Sequence, residues 1–136
     1  MKTGAGLLCL TVVACADKEA VVEADTCVEV ETDCTPQYEP TWDNVFAETL
    51  QPTCGVGGSS CHATDGAKGG LVLDDTDTAW SGLVEDGRVL EGDAGCSLLI
   101  GRLESEDSAE QMPPGDRLSE EERCAVRLWI ENGAEP

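Results

Sequence analysis

The loop at residues 54–62 holds the side chains with the clearest potential for chemistry. Cys54 and Cys61 bracket a glycine-rich run, GVGGSS, and His62, the only histidine of the sequence, directly follows Cys61. Two thiols and an adjoining histidine are what covalent haem attachment requires, because the thiols add to the haem vinyl groups and the imidazole ligates the iron. The usual spacing is C-x-x-C-H, whereas here six residues separate the cysteines. The glycines make this longer loop compliant enough for both sulfurs to reach one porphyrin.

Met112 is a candidate for the second axial ligand. It is the only methionine beyond Met1, and it precedes two prolines in the segment QMPPGD at residues 111–116. Consecutive prolines forbid a helix and enforce an extended loop, which would hold the thioether in place. Histidine and methionine together raise the potential of six-coordinate iron and favour electron transfer over oxygen binding. The alternative for Met112 alone is a gap-filler in the core.

The single histidine limits the other site chemistries. Blue copper and Rieske centres need two histidines. Zinc bound by Cys54, Cys61, His62 and Asp65 has suitable ligand types but does not suit an oxidising compartment. Adjacent Cys61 and His62 also lack an orienting partner for nucleophilic catalysis. We therefore predict no catalytic residues and no enzymatic activity.

The N-terminal residues predict export and lipid attachment. Lys2 provides a positive start, and the apolar run at residues 7–14 is too short to span a bilayer. The sequence VVAC at residues 12–15 resembles the lipobox of bacterial lipoproteins. Residues 1–14 would then be the signal peptide, and Cys15 would carry acyl chains in the cell envelope, facing the periplasm or the cell exterior. An ordinary cleaved signal is the alternative.

The cysteines beyond Cys15 are expected in an oxidising compartment, where an even number normally indicates disulfides. Residues 15–40 are acidic and turn-prone, which predicts a disordered tether in which Cys27 and Cys34 can close a local loop. Cys96 and Cys124 lie on successive predicted helices, on either side of the methionine loop. We predict a disulfide between them that stabilises the domain by roughly 3 to 4 kcal/mol. Three purely structural bridges remain the alternative to any cofactor role.

Residues 41–136 predict a small all-α domain behind this tether. Amphipathic segments at helical spacing occupy residues 41–50, 76–84 and 96–103. The first is expected to end at Pro52. The last helix has the clearest boundaries, because Ser119 and Glu122 form a capping-box pattern and Gly133 is a suitable stop.

The charge balance restricts the partners. The chain has 8 basic and 28 acidic residues, for a net charge of -20, which argues against nucleic-acid binding. A protein partner recruited by charge would present a basic docking face. The chain has only three Trp, one Tyr and one Phe, so we expect a covalent crosslink or a bound apolar cofactor to stabilise the small core.

Seven pieces of the sequence match one family pattern in order. They are VFAETLQPTC (45–54), SCH (60–62), GGLVL (69–73), AWSGLV (79–84), SLLIGRL (97–103), MPPG (112–115) and LSEEERCAVRLWIENGA (118–134). Together they resemble the c-type cytochrome-like domains of exported bacterial lipoproteins. The resemblance implies an all-α fold with the first and last helices packed together beside haem c. It also implies that Cys54 and Cys61 are the haem-binding thiols, His62 the proximal ligand and Met112 the distal one.

Two functions are expected from these features. The first is a membrane-anchored c-type haem protein that carries single electrons to or from a redox protein partner, with iron ligated by His62 and Met112. The alternative is a haem-free cytochrome c-like lipoprotein with a structural or binding role, in which Cys54 and Cys61 form a disulfide.

Overall fold

The computed structural model describes residues 27–136, which form short helices joined by long loops. In chain order the α-helices are α1 (Trp42–Asn44), continued by a π-helix (Val45–Cys54), α2 (Thr76–Trp80), continued by a π-helix (Ser81–Glu85), α3 (Leu98–Glu104) and α4 (Glu120–Glu131). Two single turns of 3-10 helix, Gly58–Ser60 and Lys68–Gly70, lie between the first helix and α2. Within these described residues there is no β-strand, and a single antiparallel bridge pairs Leu90 with Asp93. The predicted all-α fold class is confirmed.

The first helix, residues 42–54, extends further than predicted. It continues through Pro52 to Cys54, so the expected end at Pro52 is wrong. A proline removes one backbone donor but its fixed φ is compatible with a helical turn. The amide of Gly55 closes the end by donating to the carbonyls of Leu50 and Gln51 at 2.9 and 3.1 Å. As a result, Cys54 is the last residue of the first helix, and its side chain is buried.

The first helix packs against α4 in the core. The rings of Trp42 and Trp129 are 5.1 Å apart and tilted by 33°, within the range in which aromatic pairs attract. Val45, Leu50 and Ile130 are completely buried in the same core. The contact between the first and last helices that the resemblance implied is therefore present.

The start of α4 matches the capping-box prediction. Ser119 Oγ accepts from the amide of Glu122 at 3.2 Å, and the Glu122 carboxylate accepts from the amide of Ser119 at 2.8 Å. These reciprocal bonds satisfy amides that have no partner within the helix. The other end closes at Asn132, and Gly133 follows with a φ of 109°. The helix boundaries thus follow from local sequence.

An ion-pair cluster joins α3 to α4. Glu104, at the end of α3, lies 2.5 Å from Arg127, 3.2 Å from Arg123 and 3.5 Å from Arg117. Arg127 also pairs with Glu120, and its side chain is only 3 % exposed. Glu104 is therefore not a solvated surface carboxylate, because it is the shared partner of three guanidinium groups.

The N-terminal part of the described chain lies on the helical domain. The amide of Val28 donates to the carbonyl of Gly95 at 2.9 Å, and the amide of Gln37 donates to the carbonyl of Glu121 at 3.0 Å. Side chains of this segment, including Tyr38, pack against the core. The expectation of a disordered tether is therefore wrong for residues 27–40, because apolar contacts and backbone bonds hold this segment in place.

Both predicted disulfide pairings are wrong, although all four of the cysteines concerned are bonded. Cys27 is bonded to Cys96 and Cys34 to Cys124, with sequence separations of 69 and 90 residues. The physical reason is the course of residues 27–40, which pass first beside the start of α3 and then beside α4. Each bond therefore joins this segment to a different helix region instead of closing a loop within it.

The predicted signal peptide, residues 1–14, and the predicted lipid-bearing Cys15 lie outside the described residues, as do residues 16–26 of the predicted tether. Within residues 27–136, no helix combines the length and the apolar character needed to cross a bilayer.

Candidate functional site

A cavity of about 580 Å³ contains all four predicted site residues on its walls: Cys54, Cys61, His62 and Met112. Leucines make up much of the remaining wall: Leu50, Leu71, Leu73, Leu83, Leu98, Leu99 and Leu103. This volume lies within the roughly 300–1,000 Å³ typical of small-molecule and cofactor sites, and an apolar wall with a few polar groups is their usual composition. The fold thus brings together residues that are up to 58 positions apart, from Cys54 to Met112.

Glycines allow the 54–61 loop to fold tightly at the cavity. A side chain at Gly55 would meet the carbonyl oxygen of Leu73 at 2.1 Å, and one at Gly57 would meet Cys61 Sγ at 2.7 Å. Gly57 also has a φ of 87°, which residues with a side chain rarely adopt. The sequence predicted a compliant loop. In the structure Gly55 lies close to the Leu73 carbonyl and Gly57 lies close to the Cys61 side chain, so Cys61 packs against its own loop.

His62 is fixed by three hydrogen bonds. Its amide donates to the carbonyl of Cys54 at 3.2 Å, and its carbonyl accepts from the amide of Leu73 at 2.6 Å. Its ring Nδ1 lies 2.9 Å from the carbonyl oxygen of Lys68, so in the neutral ring Nδ1–H donates to that oxygen. The lone pair is then on Nε2. Proteins commonly orient a metal-ligating histidine in this way: the ring nitrogen that does not bind the metal donates a hydrogen bond to a carbonyl or carboxylate oxygen.

The loop after α3 presents Met112. The amide of Met112 donates to the carbonyl of Arg102 at 2.9 Å. The side-chain amide of Gln111 donates to the carbonyls of Pro113 and Gly115 at 3.0 and 2.9 Å, which closes the loop on itself. The half-buried methionine is therefore attached to α3 by its own backbone and is held in a loop with internal support.

Cys54 and Cys61 are free thiols in the structure. The disulfide that the haem-free alternative requires is therefore not formed. Burial raises the pKa of the Cys54 thiol to about 11, with a smaller contribution from Cys61. Cys61 is half-buried and is the more accessible of the two.

Basic side chains line the same cavity, a feature that sequence reasoning missed. Residues 27–136 contain six lysines and arginines, and three of them contribute to the wall: Lys68, Arg88 and Arg102. Glu110 also lines the cavity and pairs with Arg102, so the wall carries three basic side chains and one acidic side chain. In a chain with a net charge of -20 this local excess of positive charge is suited to a ligand that carries carboxylates. The low number of basic residues was visible in the sequence, but their convergence depends on the tertiary fold.

A metal site built from side chains alone has no support in residues 27–136. Nowhere in this range do three or more His, Cys, Asp or Glu side chains come together in a way that could hold an ion. The zinc site from Cys54, Cys61, His62 and Asp65 therefore finds no support.

One comparison with known proteins found a match. Residues 59–116 match the family model described as Planctomycete cytochrome C. No curated protein and no solved structure matches the chain. The matched segment includes Cys61, His62 and Met112 and begins after Cys54. The resemblance to c-type cytochrome-like domains is thus confirmed over residues 59–116.

Proposed function

We propose that this protein, which carries a Planctomycete cytochrome C domain over residues 59–116, is a membrane-anchored c-type haem protein that transfers single electrons. Cys54 and Cys61 would hold the haem through thioethers, and His62 and Met112 would ligate its iron. Such a haem supplies one-electron exchange between its ferric and ferrous states. We assign the protein no enzymatic role, because cytochrome c domains are typically electron carriers.

The observation that carries this proposal is the convergence of two unique side chains. The only histidine of the sequence and its only methionine beyond Met1 line one cavity, although 50 positions separate them. The hydrogen bond from His62 Nδ1 to the Lys68 carbonyl leaves Nε2 with its lone pair. The leucine wall suits an apolar macrocycle, and the basic residues suit carboxylates at its edge. The residues present therefore fit a haem.

The location follows in part from the disulfides. Two disulfides indicate an oxidising, extracytoplasmic compartment. Attachment to a membrane through acylated Cys15 is part of the proposal and is supported by the sequence VVAC at residues 12–15. Its redox partner would present a basic docking face to this acidic protein.

Expression of the exported protein together with haem-maturation machinery tests the function. We expect a Soret band that survives acid extraction, since a thioether-linked haem stays with the polypeptide. A His62→Ala variant should lose normal haem ligation, whereas Leu98→Ala, which changes another residue of the cavity wall, should keep it. A colourless wild-type protein with a Cys54–Cys61 disulfide would overturn the proposal and favour the haem-free alternative.

A further inference from the structure

Arg88 connects separate parts of the chain at the edge of the cavity. Its Nη1 donates to the carbonyl of Gly82 at 2.7 Å and to the carboxylate of Asp86 at 3.0 Å. Its Nη2 donates to the carbonyl of Gly69 at 3.0 Å. The side chain is 24 % exposed. Because a guanidinium group is a rigid fork of donors, one side chain can hold two carbonyls at a fixed separation. Arg88 thereby ties the turn Lys68–Gly70 to the helix Ser81–Glu85.

The turn that Arg88 holds is also the turn that orients His62. The carbonyl of Lys68, which accepts from His62 Nδ1 at 2.9 Å, immediately precedes Gly69 in the chain. The backbone here is unusual, because Ala67 has a φ of 41° and Gly69 a φ of 63°. A non-glycine residue adopts positive φ only at an energetic cost and keeps it where the surroundings impose it. The bond from Arg88 to Gly69 is one such constraint.

We propose that Arg88 is a positioning residue for His62. By holding the turn Lys68–Gly70, it keeps the Lys68 carbonyl in place as the acceptor for Nδ1–H and so keeps the lone pair on Nε2. That this arrangement prepares His62 to ligate iron rests on the proposed function. The hydrogen bonds themselves do not, because they join only side chains and backbone of this protein. A histidine with one nitrogen fixed in this way has a defined tautomer and ring orientation.

Arg88 also lines the cavity, so its positive charge can act on a bound ligand directly. A change in the spectrum or potential of haem-loaded protein would therefore not separate the two roles. Nuclear magnetic resonance of the haem-free full chain does separate them, because it reports on His62 in the absence of any ligand. His62 is the only histidine, so its imidazole nitrogens give unambiguous signals.

The test compares the wild type with Arg88→Gln, Arg88→Lys and the matched control Asp86→Asn, at about pH 8.5, where an ordinary imidazole is neutral. In the wild type we expect the Nδ1–H tautomer. In Arg88→Gln we expect the Nδ1–H tautomer of His62 no longer to be the main one. We also expect the Nδ1 proton to exchange with solvent about tenfold faster, which is the effect of losing one net hydrogen bond. Arg88→Lys can reach one carbonyl and should be intermediate. Asp86→Asn keeps both carbonyl bonds and should match the wild type.

Urea unfolding of each variant checks the fold. A purely structural role for Arg88 would lower the free energy of unfolding and leave the His62 tautomer and proton exchange as in the wild type, and that result would overturn the proposal. Should Arg88→Gln fail to fold, Arg88→Met decides, because it keeps an unbranched side chain but can donate to neither carbonyl; a tautomer and exchange rate like the wild type in that variant would equally overturn the proposal. If the wild type never binds haem, the proposed function fails while this comparison still decides the role of Arg88.

Discussion

Cys34 is bonded to Cys124 across 90 residues of sequence, which locks the N-terminal segment to a completely buried position on α4. Residues 27–40 are consequently part of the folded domain. The same segment is attached a second time, through Cys27, to Cys96 just before α3. The segment therefore braces two helices that do not share a direct disulfide.

Removing the longer crosslink should destabilise the protein strongly. With Cys27–Cys96 intact, the Cys34–Cys124 bond closes an effective loop of about 35 residues, for which chain entropy predicts a loss of about 4 kcal/mol in the free energy of unfolding of Cys34→Ala/Cys124→Ala. Urea unfolding followed by circular dichroism measures it, with Cys27→Ala/Cys96→Ala as the matched crosslink at the other helix. A loss below about 1 kcal/mol, or peptide maps that show Cys96 joined to Cys124, would contradict the arrangement.

Replacing Met112 should lower the reduction potential of the haem-loaded protein. Met112→Ala removes the thioether that favours ferrous iron, and axial ligands set haem potentials over a range of about 0.8 V. We expect a decrease on the order of tenths of a volt and a coordination position open to added imidazole, both measured by spectroelectrochemistry. Leu98→Ala is the control from the same cavity wall. An unchanged potential in Met112→Ala would exclude Met112 as a ligand.

The two free thiols should react at different rates in the haem-free protein. Cys54 is buried and its pKa is raised to about 11, so little thiolate is present at neutral pH. Iodoacetamide at pH 8 should therefore modify Cys61 first, and Cys54 should become reactive as the pH approaches 11 or as the protein unfolds. Peptide mass analysis over time measures both sites. Equal rates at pH 8 in folded protein would contradict the burial of Cys54.

Stability should fall with acid in a way that depends on Glu120. Its hydrogen bond from Arg127, with further contributions from the charges of Arg127 and Arg123, lowers the pKa of Glu120 below its ordinary value of 4.5. The folded state thus binds this proton less readily than the unfolded chain. The stabilisation is complete above about pH 4.5 and is lost as the pH falls through the lower folded-state value.

Urea unfolding of Glu120→Gln between pH 3 and pH 7 measures this contribution. The variant should be less stable than the wild type at neutral pH, and the difference should shrink below about pH 4.5. Glu121→Gln, in the same first turn of α4, controls for removing a negative charge near the helix start. A difference between Glu120→Gln and the wild type that stays constant with pH would contradict the assigned ion pairs.

Features set by local sequence were predictable. The reciprocal bonds of Ser119 and Glu122 involve residues three positions apart, so the start of α4 needs no tertiary information. The association of His62 and Met112 at one cavity was expected from the resemblance, and the structure places both residues there. Their roles as iron ligands stay predictions.

Features set by tertiary contacts were not predictable. Six cysteines allow 15 pairings. Short spacing suggested a loop between Cys27 and Cys34, and the order of the predicted helices suggested Cys96–Cys124, but neither pair is bonded. The positions of Arg88 and Arg102 at the cavity, and of Glu104 among three arginines, arise where distant segments of the chain meet. The end of the first helix was misplaced because Pro52 was taken as a stop, whereas the amide of Gly55 supplies the closing bonds.

The long-range disulfides also affect the order of biogenesis. A chain exported N-terminus first exposes Cys27 and Cys34 to the oxidising compartment, and next Cys54 and Cys61, before either native partner has emerged. Oxidation in order of emergence would join Cys27 to Cys34 and Cys54 to Cys61, and the second of these bonds would consume the thiols that the proposed function assigns to haem attachment. If the protein takes up haem as proposed, its maturation would call for either a reductant or a thiol isomerase that keeps Cys54 and Cys61 reduced until the C-terminal half has been exported. Non-reducing peptide maps of newly exported chains would reveal the mispaired species that such a helper must resolve.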